Sequence, residues 1–232
     1  MLPRHQGRDL TTLASLVERA RALGTTDRRA ILGITGPPGA GKTTLVSLLL
    51  DELADGSDLD AGSGWVAHAP MDGFHLADVQ LARLGLLDRK GAPETFDAAG
   101  YAAALARLRR ETDEVVYLPG FERDLEQPIA ASIAVTPSVR LVVTEGNYLL
   151  LDEGAWPIAR SHLAEVWYCD VADELRRGRL VDRHVQYGKS REAAAEWVDR
   201  SDEANARRVR IARAAADLVI AMDCIDATPA SG

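Results

Sequence analysis

Apolar positions along the chain follow two periods in turn, and that alternation sets the expected architecture. Leu10, Leu13, Leu16, Val17, Ala20 and Leu23 fall at helical spacing with Gly24 as a stop, so a helix is expected over about 9–23. AILGIT (30–35) is a short unbroken apolar run of the kind a strand covered on both faces needs. It breaks into GPPGAGKTT, after which Leu45, Leu48 and Leu49 restore helical spacing. WVAHAP (65–70) reads as a second strand, and Leu76, Val79, Gln80, Arg83, Leu84 and Leu87 then return to the helical period. Between these, GSDLDAGSG (56–64) is a polar, glycine-rich loop.

The second half repeats the alternation. Asp97 is placed to cap the helix AAGYAAALARLRRE, and EVVYLPGFERDLEQPIAASIAV gives a short strand followed by an irregular segment containing Pro119 and Pro128. VRLVVTEGNYLLL (139–151) contains the strongest buried strand, which ends at Glu145-Gly146, and EVWYCDV (165–171) is another. Residues 172–216 are mostly helical and charged, with a break near YGKS, and DLVIAM (217–222) closes as a last strand. Strands alternating with helices argue for an α/β fold, a central parallel sheet with helices on both faces. No internal repeat or composition break divides the chain, so a single domain over 1–232 with a core of about 30–222 is expected.

Composition narrows the classes. The 232 residues are 47% hydrophobic and 27% charged, enough to bury a real core. A formal net charge of -8 argues against nucleic-acid or membrane-surface partners. The two cysteines, Cys169 and Cys224, lack metal-type spacing and suit a reducing compartment. No secretory h-region or membrane-length apolar run is present, so a cytoplasmic protein is expected.

Chemistry enters with GPPGAGKT, Gly36 to Thr43, which fits G-x-x-x-x-G-K-[ST] between a strand and a helix. Gly36, Gly39 and Gly41 let the backbone curl so that its N–H groups, with those of Ala40 and Thr44, face phosphate oxygens. The helix N-terminus adds partial positive charge. Lys42 brings a mobile cation to the β- and γ-phosphates, and the Thr43 hydroxyl can ligate Mg²⁺. An N-K-x-D guanine reader is missing after the late strands, which favours ATP.

Ligands of open α/β sheets gather outside the carboxyl ends of the strands. Asp72 follows one strand, Tyr117 to Arg123 another and Glu145 to Asn147 a third, so two acids are expected beside the phosphate loop. Each has a bland reading as well. Asp72-Gly73 fits a hairpin turn, Glu145 a turn cap, His75 a packing histidine, and Tyr117 and Phe121 plain core. Arg176, Arg179 and Arg183 share one helix face, either a solvated basic stripe or a lid over the phosphates at about 172–190.

Taken together, GPPGAGKTT, MDGFH, GAPETFD, PGFERDLEQP, TEGNYLLL and RLVDRHVQYGKS resemble the phosphoribulokinase/uridine kinase family of P-loop kinases, over about residues 30 to 222. Within that family they are most similar to the branch containing type I pantothenate kinase and fructose-transport-system kinases. The resemblance implies a three-layer P-loop fold with an arginine-bearing helical lid, and an ATP- and Mg²⁺-dependent kinase acting on a small-molecule alcohol. It implies that Asp72 deprotonates the acceptor hydroxyl and that Glu145 sits near Mg²⁺. Arg179 and Arg183 become lid arginines, while His75, Tyr117, Phe121, Arg123 and Asn147 fall where relatives hold the acceptor. It is compatible with a homodimer. PGFERDLEQP is not the acceptor motif of uridine kinases, and the pantothenate-binding segments have no clear match. The rival reading is a P-loop ATPase or nucleotide switch acting on a protein partner, which would have no use for Asp72 and GFERD.

Overall fold

The computed structural model describes residues 12–26, 28–54 and 64–225. The polar loop expected over 56–64, apart from Gly64, and the first residues of the N-terminal helix lie outside them. In chain order the elements are α1 (Leu13–Gly24), β1 (Ala30–Thr35), α2 (Lys42–Leu53), β2 (Val66–His68), α3 (Asp78–Leu84), α4 (Ala98–Arg110), β3 (Val116–Glu122) and β4 (Gln127–Val135). There follow β5 (Leu141–Glu145), α5 (Trp156–Ser161), β6 (Glu165–Asp170), α6 (Asp173–Gln186), α7 (Arg191–Trp197), α8 (Glu203–Ile211), β7 (Leu218–Ala221) and α9 (Met222–Ile225). Local chemistry marks several starts. Thr12 caps α1 by accepting from the Ser15 amide, and Asp97 caps α4 by accepting from the Gly100 amide at 2.8 Å.

Five strands form one parallel sheet in the order β2-β5-β1-β6-β7. β1, which carries the phosphate loop, lies at its centre between β5 and β6. Alternate residues of each strand feed two separate cores. Leu32, Ile34, Leu141, Val143 and Trp167 pack with α1 and α2 on one face. On the other, Ile31, Val142, Val166 and Tyr168 pack with α4, α5 and the aromatic set Tyr101, Tyr148 and Trp156. Both faces are covered, so every position of β1 and β5 is buried and their sequences read as continuous apolar runs. The result is the three-layer P-loop kinase architecture.

One segment departs from expectation. Residues 114–135 do not give a strand and an irregular tail; β3 and β4 pair antiparallel as a two-stranded sheet outside the parallel one. The register shifts between Leu118 and Gly120, where the Ser132 hydroxyl takes the Gly120 amide at 2.7 Å. Pro119 sits at that irregularity, a place where a missing N–H does no harm.

Candidate active site

The phosphate loop runs from Gly36 to Gly41 between β1 and α2. Gly36, Gly39 and Gly41 all have φ between +79° and +149°, which side chains resist. The loop is also hemmed in from below. A Cβ on Gly36 would meet the Cys169 carbonyl oxygen at 2.7 Å, and one on Gly39 the Arg176 carbonyl oxygen at 2.8 Å. Ala40 is fully buried and, with Gly36, shapes the loop from its core side, whereas Gly39, Gly41, Lys42, Thr43 and Thr44 line an adjoining cleft of about 890 Å³. Lys42 Nζ donates to the carbonyls of Gly36 and Pro37, both at 3.1 Å. Burial lowers its pKa from the usual lysine value, with Arg183 adding to the fall, while Glu145, Cys169 and Asp72 oppose it.

Two acids reach the same cleft from other strand ends. Glu145 is the last residue of β5, beside β1, and its Oε2 accepts the Thr43 hydroxyl at 2.9 Å. Burial pushes its carboxyl pKa above the ordinary range against the pull of Lys42 and the Thr43 hydrogen bond, and Asp72 adds to the rise. Asp72 follows β2 inside a single 3-10 turn, Met71–Phe74, not a hairpin turn, since the chain continues into α3. Two glycines allow this turn to nest. A Cβ on Gly73 would lie 2.1 Å from the Pro119 carbonyl oxygen of β3, and one on Gly146 2.5 Å from Met71 Sδ. Glycine at 73 therefore serves the approach of the β3–β4 hairpin, and the hairpin buttresses the turn that carries Asp72.

His75 holds the same turn from its far end. Its Nδ1 donates to the Asp72 carbonyl at 2.8 Å, and its ring stacks on Phe96 and Phe121 with centroids 3.9 and 4.9 Å away. Burial chiefly lowers its pKa, favouring the neutral ring. His75 is thus both a packing histidine and part of the cleft wall, which Phe121, Arg123 and Asn147 continue. Tyr117 does not belong there. It points out of β3 at 57% exposure and is absent from the cleft lining, because it lies within the hairpin and not at the end of a parallel strand.

The arginine stripe divides in two. Arg179 and Arg183 line the cleft, and the Arg179 guanidinium stands over the phosphate loop, 3.6 Å from where a Gly41 Cβ would be. Arg176 instead is fully buried, paired with Glu203 and with Asp173 at 3.2 Å, and donates to the Pro38 carbonyl at 3.2 Å. It ties the root of α6 to the phosphate loop. Beyond α7 a π-helical turn, Val198–Asp202, turns Ser201 and Asp202 to the cleft, where Asp202 meets His184 at 3.0 Å.

Besides Ser201, Asp202 and His184, sequence reasoning missed His68, at the end of β2. Its Nε2 lies 3.6 Å from Glu145 Oε1, and burial lowers its pKa to about 4. The available signal was a lone imidazole within the otherwise apolar run WVAHAP.

Comparison with known proteins bears on this arrangement. No family model matches the chain. C227.14 of Schizosaccharomyces pombe, provisionally named a uridine kinase, is 32% identical over 218 residues, which cover 91% of each chain. The chain belongs to the phosphoribulokinase/uridine kinase family of P-loop kinases. A second relative, notR′ of Aspergillus versicolor, is named an ATP-dependent kinase-like protein and is 35% identical over 132 residues, or 54% of this chain and 77% of that one. Among solved structures, a protein of Silicibacter sp. TM1040, provisionally named a fructose transport system kinase, superposes with a TM-score of 0.79 at 34% identity. That match covers 90% of this chain and 98% of the other. In this chain the phosphate loop, the strand-end acids and the arginines of α6 lie in one cleft. Among the described residues no helix is long and apolar enough to cross a membrane.

Proposed function

We propose that the protein is an ATP- and Mg²⁺-dependent kinase that transfers the γ-phosphoryl group to an alcohol group of a small metabolite. The observation that carries this reading is the meeting of Lys42, Asp72, Glu145, Arg179 and Arg183 around one cleft. Loop amides from Gly36 to Thr44 and the Lys42 ammonium hold the triphosphate. Thr43 Oγ1 and a Glu145 oxygen, 2.9 Å apart, are hard oxygen donors of the kind Mg²⁺ takes alongside phosphates and water. Mg²⁺ bound there would draw off charge from the β- and γ-phosphate oxygens.

Asp72 accepts the proton of the attacking hydroxyl, a task that needs little basicity because the transition state is loose. Arg179 and Arg183 neutralise charge as the phosphoryl group moves, and α6 closing on the cleft would exclude competing water. His75, Phe121, Arg123 and Asn147 hold the acceptor, of which a sugar, a nucleoside or a pantothenate-like alcohol each suits a polar cleft with aromatic walls. The names of the relatives point towards sugars and nucleosides.

The test is ADP release measured with and without a panel of sugars, polyols, nucleosides and pantothenate. Acceptor-dependent release supports the kinase. Turnover indifferent to every acceptor would favour the rival reading, a P-loop ATPase or nucleotide switch acting on a protein partner.

A further inference from the structure

β2 needs no histidine to fold. Its neighbours Val66, Ala67 and Ala69 are small or apolar and buried, and a branched apolar side chain at position 68 would serve the strand as well. His68 nevertheless turns one nitrogen inward. The side chain as a whole is 32% exposed, yet Nε2 is sealed from solvent and makes no hydrogen bond among the described residues, with Glu145 Oε1 3.6 Å away. A buried polar atom without a partner is costly, and in native proteins it calls for a functional account. The parallel register explains the aim: His68 pairs with Val143, two residues before Glu145 on the adjacent strand.

We propose that His68 is a positioning residue for Glu145, its Nε2–H holding the Oε1 oxygen of that carboxylate when Thr43 and Oε2 are engaged at the phosphate end of the cleft. The inference rests on the proposed kinase reading, in which Thr43 and Glu145 serve Mg²⁺. Among the described residues the Thr43 hydroxyl is the side chain that donates to Glu145, at Oε2, and the carboxylate would swing once that hydroxyl turned to a cation. His68 supplies the second support from the opposite oxygen, after a closing motion of about half an ångström to ordinary hydrogen-bond length. An uncharged imidazole suits the task. It orients the carboxylate without cancelling the negative charge, whereas a lysine or arginine there would compete with the cation. Partners that orient a metal-binding carboxylate are worth about 10- to 100-fold in metal affinity or activity.

The experiment compares wild type with His68→Leu, His68→Gln and His68→Asn in the full chain. Gln can place an amide N–H where Nε2–H stands; Asn is too short. ADP affinity is measured by calorimetry with and without Mg²⁺, beside the Mg²⁺ concentration giving half-maximal turnover and the melting temperature. Expected are a His68→Leu protein whose Mg²⁺-free ADP affinity is within about two-fold of wild type and whose Mg²⁺ requirement rises about 10-fold or more. His68→Gln should recover most of that loss and His68→Asn little, a ranking that decides the matter even if the leucine variant folds poorly. An unchanged Mg²⁺ requirement in His68→Leu, or equal impairment of Gln and Asn variants, would overturn the role of His68 alone. A wild-type protein that binds ADP equally well without Mg²⁺ overturns the underlying reading of Glu145 as well.

Discussion

Replacing Gly73 with alanine tests whether the acid turn is held where the chemistry needs it. The added Cβ would lie 2.1 Å from the Pro119 carbonyl oxygen, 2.6 Å from its carbon and 3.2 Å from Gly120 Cα, where ordinary contact begins at 3.4 Å. All three atoms are backbone, so no side-chain rotation relieves the clash. The Met71–Phe74 turn or the β3–β4 hairpin must move by about 1 Å, and a misplacement of that size near a reacting group costs on the order of 100-fold in rate. Overpacking should cost about 1–3 kcal/mol of stability, or roughly 2–12 °C in melting temperature for a chain of this size. The loss should fall on kcat and not on ATP binding, because the phosphate loop rests on β1 and α2. Coupled ADP-release kinetics with an acceptor from the panel, nucleotide affinity by calorimetry and a thermal melt together read all three quantities. Gly178→Ala is the control: nothing lies within 4 Å of its Cβ, it sits inside α6, and the change should leave the melt level or raise it by about 0.5–1 kcal/mol. A Gly73→Ala protein that turns over within a few-fold of wild type and melts alongside it would refute the account of the turn.

Asp72→Asn should lower turnover by about 10²- to 10⁴-fold while ATP affinity, followed by calorimetry, stays nearly level; activity within a few-fold would remove Asp72 as base. Glu145→Gln should abolish most activity yet raise the melting temperature of the nucleotide-free protein at neutral pH. Burial lifts the Glu145 pKa despite Lys42, so its contribution to stability is fullest below the ordinary carboxylate range and is lost as pH rises through the folded value. Glutamine suffers no such loss, and the gap between the two melts should therefore close as pH falls towards 4. Arg176→Ala leaves Glu203 with the more exposed Arg177 and Arg210, at 3.7 and 3.5 Å, and should cost about 1–3 kcal/mol, seen as a drop of roughly 2–12 °C in a thermal melt.

What could be read in the sequence follows from burial. β1 and β5 are enclosed on both sides, so their apolar runs stood out, and the phosphate loop announced itself because its glycines and lysine answer to a fixed shape. The hairpin stayed hidden for the opposite reason. Most of β4 is exposed or half-exposed, its pairing with β3 is interrupted by a bulge, and Ala131 holds a φ of 56° that no sequence rule anticipates. Tyr117 was misplaced by the same error, since a strand assumed to belong to the parallel sheet would have ended at the cleft. Arg176 shared the spacing of Arg179 and Arg183, and spacing alone does not say which arginine on a stripe meets a half-buried glutamate 27 residues away.

On the proposed kinase reading the hidden hairpin also joins specificity to chemistry. Its Pro119–Gly120 segment presses on Gly73 and so helps set the height of Asp72, while its Phe121 and Arg123 face the cleft a few residues further on. The first job sits at the bulge, where the β3–β4 register shifts between Leu118 and Gly120, and the second lies beyond it. On the proposed reading, substitutions at the tip, residues 122–126, can thus reshape the acceptor wall and leave the acid in place, whereas those at the bulge must move it. For one phosphate-transfer apparatus to serve different acceptors, such a division is needed, because the parallel sheet that fixes Lys42 and Glu145 is too tightly packed to change with the substrate.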